Sequence, residues 1–597
     1  MDCGIRFGLR WADAVAALAI SFSIANDGIK NLGAAIGEPK DKRPRTVDDA
    51  ANARSGGVAG ARATGVRERP TRRSFPVALD PTTRGPETRH GPTRRDVYDD
   101  NDGRMLATQL SEINASTKGV SMRSDRVRGR GRAITSLAAG AAVVTTAWFG
   151  APADGAPSKG QVQAQASASL PNILVIVTDD QRSDTLGVMP ALQQLFVLNG
   201  TQFPNAFAST PLCCPSRASI FSGRYTHNHG VVRSGTDPAV FDQDSTMQAR
   251  LQKAGYSTAI AGKYINSWDQ SLDPPFFDRW AFFSRGAQSG SAGFYDLRFN
   301  VDGKRRIAKK YSTHFIRNQA FRFLEGFEEV DDKPWFLYVA PFAPHPPAEP
   351  EPRYARAKMP EWEMNPAAFE EDIFDKPTYV QSSNAKKWRV GRMRKAQLRS
   401  LMSVDDLIER LFNRLDRLGE KQDTLAVFLS DNGFMWGEHR RMGKSVPYTA
   451  STQIPMLVRW PGHVRRGAID RRFASNIDVA PTALDAAGLS AEGMDGRSLI
   501  DRSWQRDRIL LEFWEGQNQT RPIPRWASLR TSEHQYTEYY ARGTDGQVVI
   551  EREFYDLVAD PWQLENLVTD DDPTNDPPQW MVDQLFADRS CASLSCP

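Results

Sequence analysis

The chain has 597 residues, 40% of them hydrophobic and 25% charged, which fits a globular protein with several domains and a sizeable core. Lys plus Arg number 76 against 72 Asp plus Glu, but residues 1–132 hold 24 basic and 16 acidic side chains, leaving 52 and 56 for the rest. A body with a slight acidic excess gives no electrostatic case for nucleic-acid binding, and five cysteines and eight histidines exclude a disulfide-dense scaffold and make a zinc module a poor fit.

Between Arg43 and Arg104 there are thirteen arginines and only Phe75 and Tyr98 as aromatics. Such a stretch has little apolar surface to offset the entropy of ordering, so residues 1–121 read as disordered or as untranslated extension. Arg126, Arg128, Arg130 and Arg132 precede an uncharged run from Ala133 to Ala153 that ends Ala151-Pro152-Ala153. That is the n-region, h-region and A-x-A site of a signal peptide over 122–153, with Met122 as the expected start. The alternative, a membrane anchor, suits a Leu- and Ile-rich run better than this Ala-, Gly- and Thr-rich one. The expectation is an exported protein, secreted or periplasmic, with no stable anchor after cleavage and a linker over 154–170.

From residue 171 the pattern changes. Asn172–Thr178 is a continuous apolar run that leads into Asp179-Asp180, as a strand buried on both faces would. Ser257–Ala261 leads into Gly262-Lys263, and Trp335–Ala340 into a Pro-rich stretch holding His345. A helix is predicted over Gln397–Leu418. Thr424–Ser430 then repeats the first design and leads into Asp431-Asn432-Gly433, and Ile454–Trp460 is a further strand candidate. Alternating strands and helices predict an α/β domain over 171–505 with a mostly parallel sheet, whose ligands bind beyond the carboxyl ends of the strands. Residues 506–597 read as a smaller α+β domain, with Trp526–Thr531 and Gln535–Ala541 as antiparallel strands. Trp514 and Trp526 are candidates for stacking on a sugar ring or, alternatively, for core packing. Cys591 and Cys596 read equally as a small disulfide loop and as two free thiols.

Asp179, Asp180, Asp431 and Asn432 offer only oxygen donors, which suit a hard cation; calcium fits best, with magnesium possible if water completes its octahedron. Taken singly, each acidic pair also reads as a turn or helix cap. In Pro211-Leu212-Cys213-Cys214-Pro215-Ser216-Arg217, Pro215 suits the first turn of a helix, which places Cys213 at a helix N-terminus favourable to an anion. The residues alone permit a buried cysteine pair or a low-pKa thiol nucleophile.

Cys213-x-Pro215-Ser216-Arg217 followed by Gly223 resembles the sulfatase signature, and Gly255–Lys263 resembles the second signature of that family. The two acidic segments, Phe554-Tyr555-Asp556-Leu557 and Asn566-Leu567 resemble its other landmarks, so the likeness covers about residues 171–570. The resemblance implies an alkaline-phosphatase-like α/β fold and a sulfuric ester hydrolase. It also implies oxidation of Cys213 to formylglycine by a maturase. The aldehyde hydrate carries two hydroxyls on one carbon: one attacks sulfur and the other, by losing its proton, expels sulfate. By the same likeness, one Ca2+ is held by Asp179, Asp180, Asp431, Asn432 and the modified Cys213. Arg217 orients the hydrate, Lys263, His345 and Lys444 grip the sulfate, and one of them, best His345, protonates the leaving oxygen. The family's usual His two residues after the signature Lys is Ile265 here. Cys213-Cys214, His227-Asn228-His229 and Lys263-Tyr264-Ile265-Asn266 look most like the N-acetylglucosamine-6-sulfatase branch; His227 and His229 read equally as pocket residues and as part of a loop after the helix, and His439 is a pocket candidate only by its nearness to Asp431 in sequence. The expected substrate is a sulfated carbohydrate. The alternatives are an arylsulfatase, a phosphate or phosphonate ester hydrolase of the same superfamily, and a non-catalytic sulfated-glycan binder.

Overall fold

The computed structural model of the chain describes residues 170–597 apart from 285–292, 331, 516–522, 544–547 and 571. The leader, signal-peptide and linker expectations for residues 1–169 therefore lie outside the described residues. Among the described residues no helix is long and apolar enough to cross a membrane.

Alternation along Asn172–Thr178 shows how the core is built. Ile173, Val175 and Val177 pack into one apolar cluster and Leu174 and Ile176 into another, so this strand is covered on both faces, as its unbroken apolar run requires. It sits near the middle of a ten-stranded sheet. Thr424–Ser430, Asn172–Thr178, Trp335–Ala340, Ser257–Lys263 and Arg279–Phe283 lie side by side and run parallel. Met456–Arg459 pairs antiparallel with Thr424–Ser430, and Leu297–Val301 and Lys304–Ala308 extend the other edge antiparallel. The sheet is thus mostly parallel, as expected, with outer strands that return on themselves.

A second sheet of four antiparallel strands comprises Arg508–Phe513, Arg525–Thr531, His534–Tyr540 and Val549–Asp556. Several boundaries differ from expectation: the strand expected over Ile454–Trp460 is confined to Met456–Arg459, and two further differences bear on the site. The long helix runs Lys387–Leu418, ten residues earlier than periodicity predicts, because its first turns are cationic and bury only Val390 and Arg394 before Gln397. The strand expected to stop at Ala261 continues through Lys263, carrying Lys263 as its last rung. Gly262 there has φ +125°, and a Cβ on it would stand 2.0 Å from the Ala340 carbonyl oxygen, so only glycine allows this strand to approach its neighbour.

Candidate active site

The site begins with a register. Asn172 through Thr178 pair rung for rung with Thr424 through Ser430, so Asp179-Asp180 and Asp431-Asn432 leave the sheet at the same level. The Asp431 amide donates to the Thr178 carbonyl at 3.1 Å and the Asp180 amide to Asp431 Oδ1 at 3.1 Å. Asp180 takes a positive φ of 66°, a conformation Asp tolerates better than most residues. Beside these loops the helix Cys213–Ser222 starts at Cys213, with every residue buried. Pro215 falls in its first turn, where a missing N–H costs little. The helix is held from below: Ser216 Oγ donates to the Asp431 carbonyl, and Asn476 Nδ2 donates to Ser216 Oγ at 2.8 Å.

The charges are balanced. Arg217 Nε and Nη2 each stand 2.9 Å from Asp431 Oδ2. Lys263 Nζ pairs with Asp179 and Lys444 Nζ with Asp180. Three carboxylates thus face three cations, and the most accessible of the six side chains, Lys444, is 14% exposed. Cys213 Sγ lies 2.6 Å from Lys444 Nζ and 3.4 Å from Asp179 Oδ1. His345 Nδ1 is 2.6 Å from the Pro346 carbonyl, which only accepts, so Nδ1 carries hydrogen and Nε2 is the atom facing Asp180 Oδ2 at 3.8 Å. All nine residues singled out as catalytic or metal-binding, namely Asp179, Asp180, Cys213, Arg217, Lys263, His345, Asp431, Asn432 and Lys444, meet here.

Burial alone would raise the Asp179 carboxyl, but Lys263, His345, Arg217 and Lys444 together hold it well below the usual range. Burial and the neighbouring Asp179 push the Asp431 carboxyl up despite Arg217. The Cys213 thiol is pushed up to about 12 by burial and by Asp179, the opposite of an activated thiolate. Burial also pushes the His345 imidazole down.

Oxygen, sulfur and nitrogen donors meet here, and the oxygens among them suit a hard cation. Ligand atoms of Asp179, Asp180, Cys213 and His345 lie within 4.8 Å of one another, about twice a calcium–oxygen bond, as donors around one ion must. Asn432 is beside them, its Nδ2 2.7 Å from Asp180 Oδ1 and its Oδ1 3.3 Å from Lys444 Nζ. Asp431 is oriented by Arg217 and the Asp180 amide.

Other candidates lie elsewhere. His227 bonds Glu512 Oε2 at 2.9 Å and the Cys591 carbonyl at 2.9 Å, which ties the short helix Thr226–His229 to the small sheet and the C-terminal segment, and His229 bonds Ser219 Oγ of the buried helix at 3.0 Å. Cys591 and Cys596 form a disulfide. Ile265 is fully buried in the core. His439, bonded to Glu370 at 2.6 Å, lines a separate cavity of about 180 Å³ with Arg182, Glu438 and Tyr448. Trp526 is buried and its Nε1–H donates to the Ser445 carbonyl at 3.0 Å, while Gln535 Nε2 donates to the Pro447 carbonyl at 2.9 Å. The small sheet therefore holds the segment that presents Lys444. Nothing in the sequence marks Trp526 or Gln535 for this, because each lies more than eighty positions from its partner.

A family model described as Sulfatase matches residues 171–489, more than half of the chain, and one described as N-sulphoglucosamine sulphohydrolase, C-terminal, matches residues 437–587. The chain is 32% identical over 387 residues to the extracellular sulfatase Sulf-1 homolog of Caenorhabditis elegans, a match that covers 57% of this chain and 52% of that protein. It is 29% identical over 466 residues to the N-acetylglucosamine-6-sulfatase of Homo sapiens, covering 68% of this chain and 83% of that one. A solved structure in complex with its substrate D-glucosamine-2-N,6-O-disulfate superposes with a TM-score of 0.58 at 24% identity, over 70% of this chain and 97% of that one.

Proposed function

The chain belongs to the sulfatase family, and on that premise we propose that it is a sulfuric ester hydrolase that releases sulfate from a sulfated carbohydrate. The observation that carries this reading is the convergence of Cys213, at the start of a buried helix, with three carboxylates and three cations delivered by separate strand ends. The likeness to an N-acetylglucosamine-6-sulfatase over most of that protein's length favours a 6-sulfated glucosamine.

Cys213 is the residue we assign to conversion into formylglycine by a maturase; its hydrated aldehyde supplies an oxygen nucleophile that a thiol held near pKa 12 does not. Asp179, Asp180, Asp431 and Asn432 would hold a calcium ion, whose chemistry is to polarise sulfate oxygens and acidify a bound hydroxyl. The remaining work falls to side chains already in place. Lys444 and Lys263 flank the Cys213 side chain and bind the anionic sulfate when it enters. Arg217, fully buried against Asp431, fixes that carboxylate and the helix that carries Cys213. His345 holds its tautomer through Pro346 and keeps Nε2 towards the site. Burial disfavours its charged form, and it is the group we assign to proton transfer to the leaving oxygen. We assign the catalytic domain to 171–505 and a supporting domain to 506–597. Export through the 122–153 segment is supported by the Cys591–Cys596 disulfide, a bond kept in oxidising compartments.

Two measurements test this. The mass of the peptide spanning Cys213 from the native host should show aldehyde in place of thiol at Cys213 and an unmodified Cys214. Matched aryl sulfate and aryl phosphate esters, assayed beside 6-sulfated N-acetylglucosamine, should give sulfate release well above phosphate release. Faster phosphate release would make the chain a phosphoester hydrolase, and glycan binding without any ester cleavage would make it a binding protein.

A further inference from the structure

The first turns of the long helix carry an unusual charge load. Residues 384–399 contain Lys386, Lys387, Arg389, Arg392, Arg394, Lys395 and Arg399 and no acidic residue, in a body that otherwise has more acid than base. Cations in the first turn oppose the helix dipole, and Arg392 with Lys395, and Lys395 with Arg399, are like-charged neighbours at helical spacing. The sequence thus accepts a local cost that a bound anion would remove.

Two of these cations are used internally. Arg394 donates to the Pro360 and Glu361 carbonyls, and Arg399 donates twice to the Ala357 carbonyl. They pin the 353–362 segment along the helix, and that segment exposes Arg356 and Lys358. Lys387, Arg392 and Lys395 are exposed as well. None of these five has a carboxylate partner among the described residues, although the exposed Glu361 and Glu363 follow Lys358 in the same segment. Trp388 is 61% exposed, with the Arg392 guanidinium 5.6 Å over its ring. Trp388, Arg392 and Lys395 share one face, at i, i+4 and i+7. The opposite face is docked: Val390 and Leu398 pack with Phe434 and Trp436, and Met393 and Met442 join them. The Ala385 amide also donates to the Arg440 carbonyl at 2.8 Å. Met442 stands two residues before Lys444, so the docked face of this helix braces the segment that presents Lys444, and the cationic face looks away from that contact.

We infer that Trp388, Arg392 and Lys395, with Lys387, Arg356 and Lys358, form a docking surface for a strand of sulfated polysaccharide. Spaced cations match spaced sulfates and a guanidinium-backed indole matches a sugar face, a combination suited to a polymer rather than to a single sugar. The inference rests on the sulfated-carbohydrate reading above.

The test is binding of the full chain to immobilised heparin as a function of salt, for wild type, Arg392→Glu with Lys395→Glu, and the milder Arg392→Gln with Lys395→Gln, each with its melting temperature recorded. The charge-reversed protein should bind at least about tenfold more weakly, with a salt slope lower by about two, and the glutamine protein should fall between. Turnover of monomeric 6-sulfated N-acetylglucosamine should stay at the wild-type rate in both. Unchanged heparin affinity in folded variants overturns the surface while leaving the enzyme reading intact. Equal competition by DNA of matched charge also overturns it, because the face would then be a general anion surface. Weakened heparin binding in a chain that releases no sulfate from any ester supports the surface and overturns the enzyme reading alone.

Discussion

Two buried clusters of ionisable groups meet the segment Lys444–Tyr448, and they are built on opposite principles. In the first, Asp179, Asp180 and Asp431 are met by Arg217, Lys263 and Lys444, and the groups arrive from several strand ends. In the second, Glu553 lies wholly buried within a strand of the small sheet. It accepts from Tyr448 at 2.7 Å, Tyr555 at 2.6 Å and Tyr539, which in turn lies 3.1 Å from Tyr379. Burial pushes Glu553 up and three phenols satisfy it without a balancing cation at its oxygens. Full charges with movable cationic partners are poised to exchange those partners for a ligand; a carboxyl enclosed by phenols is a fastener. Because Tyr448 follows Lys444 by four residues, the fastener secures the chemistry without joining it. Depth of burial therefore does not separate the two clusters, whereas convergence of strand ends does, and it is on that convergence that the proposed active site rests.

The contrast can be broken most sharply at Cys213. Cys213→Ala should lower sulfate release more than about a thousandfold while the melting temperature, read by calorimetry, stays near that of the wild type. Lys444→Ala should come next, with kcat/KM on a sulfated sugar down about a hundredfold or more. Glu553→Ala should reverse the pattern: it leaves Tyr448 and Tyr555 unpaired and Tyr539 with Tyr379 alone, and costs about 3 kcal/mol of stability, measured by urea unfolding, with a smaller loss of activity in the folded fraction.

A pH series sharpens the comparison at a further ion pair, His227–Glu512. Burial alone would depress His227, but the Glu512 carboxylate overrides it and raises the imidazole from 6.5 to about 9. A raised folded pKa means that the pair's stabilisation is complete below pH 6.5 and is lost as pH rises through 9. The gap in unfolding free energy between wild type and His227→Gln should therefore be up to about 3 kcal/mol at pH 6 and close by pH 9.5. The smallest effect is expected at Trp526→Phe. It removes the donor to the Ser445 carbonyl, worth about 1 kcal/mol. Steady-state kinetics should show about a fivefold loss in kcat/KM and little change in melting temperature.

Much of this was legible in the sequence because parallel strands announce themselves as apolar runs and end in the groups they deliver. Asp179-Asp180, Lys263, His345 and Asp431-Asn432 all follow such runs. Less was legible where tertiary contact does the work. The start of the long helix hides behind cations, its apolar partners Phe434 and Trp436 lying far along the chain. The edge strands Leu297–Val301 and Lys304–Ala308 carry exposed charges that mask any alternation. The partner of His227 comes from Glu512, and neither residue is marked for the other by spacing.

The shared register of Asn172–Thr178 and Thr424–Ser430 has a consequence for engineering. The two strands act as rulers of equal length, so the site depends on residue count as much as on residue identity. A single deletion near Leu174, touching no polar group, would turn every later side chain of that strand to the other face and carry Asp179 away from Asp431. Substitution of one β-branched residue for another there should be tolerated where a change of length is not.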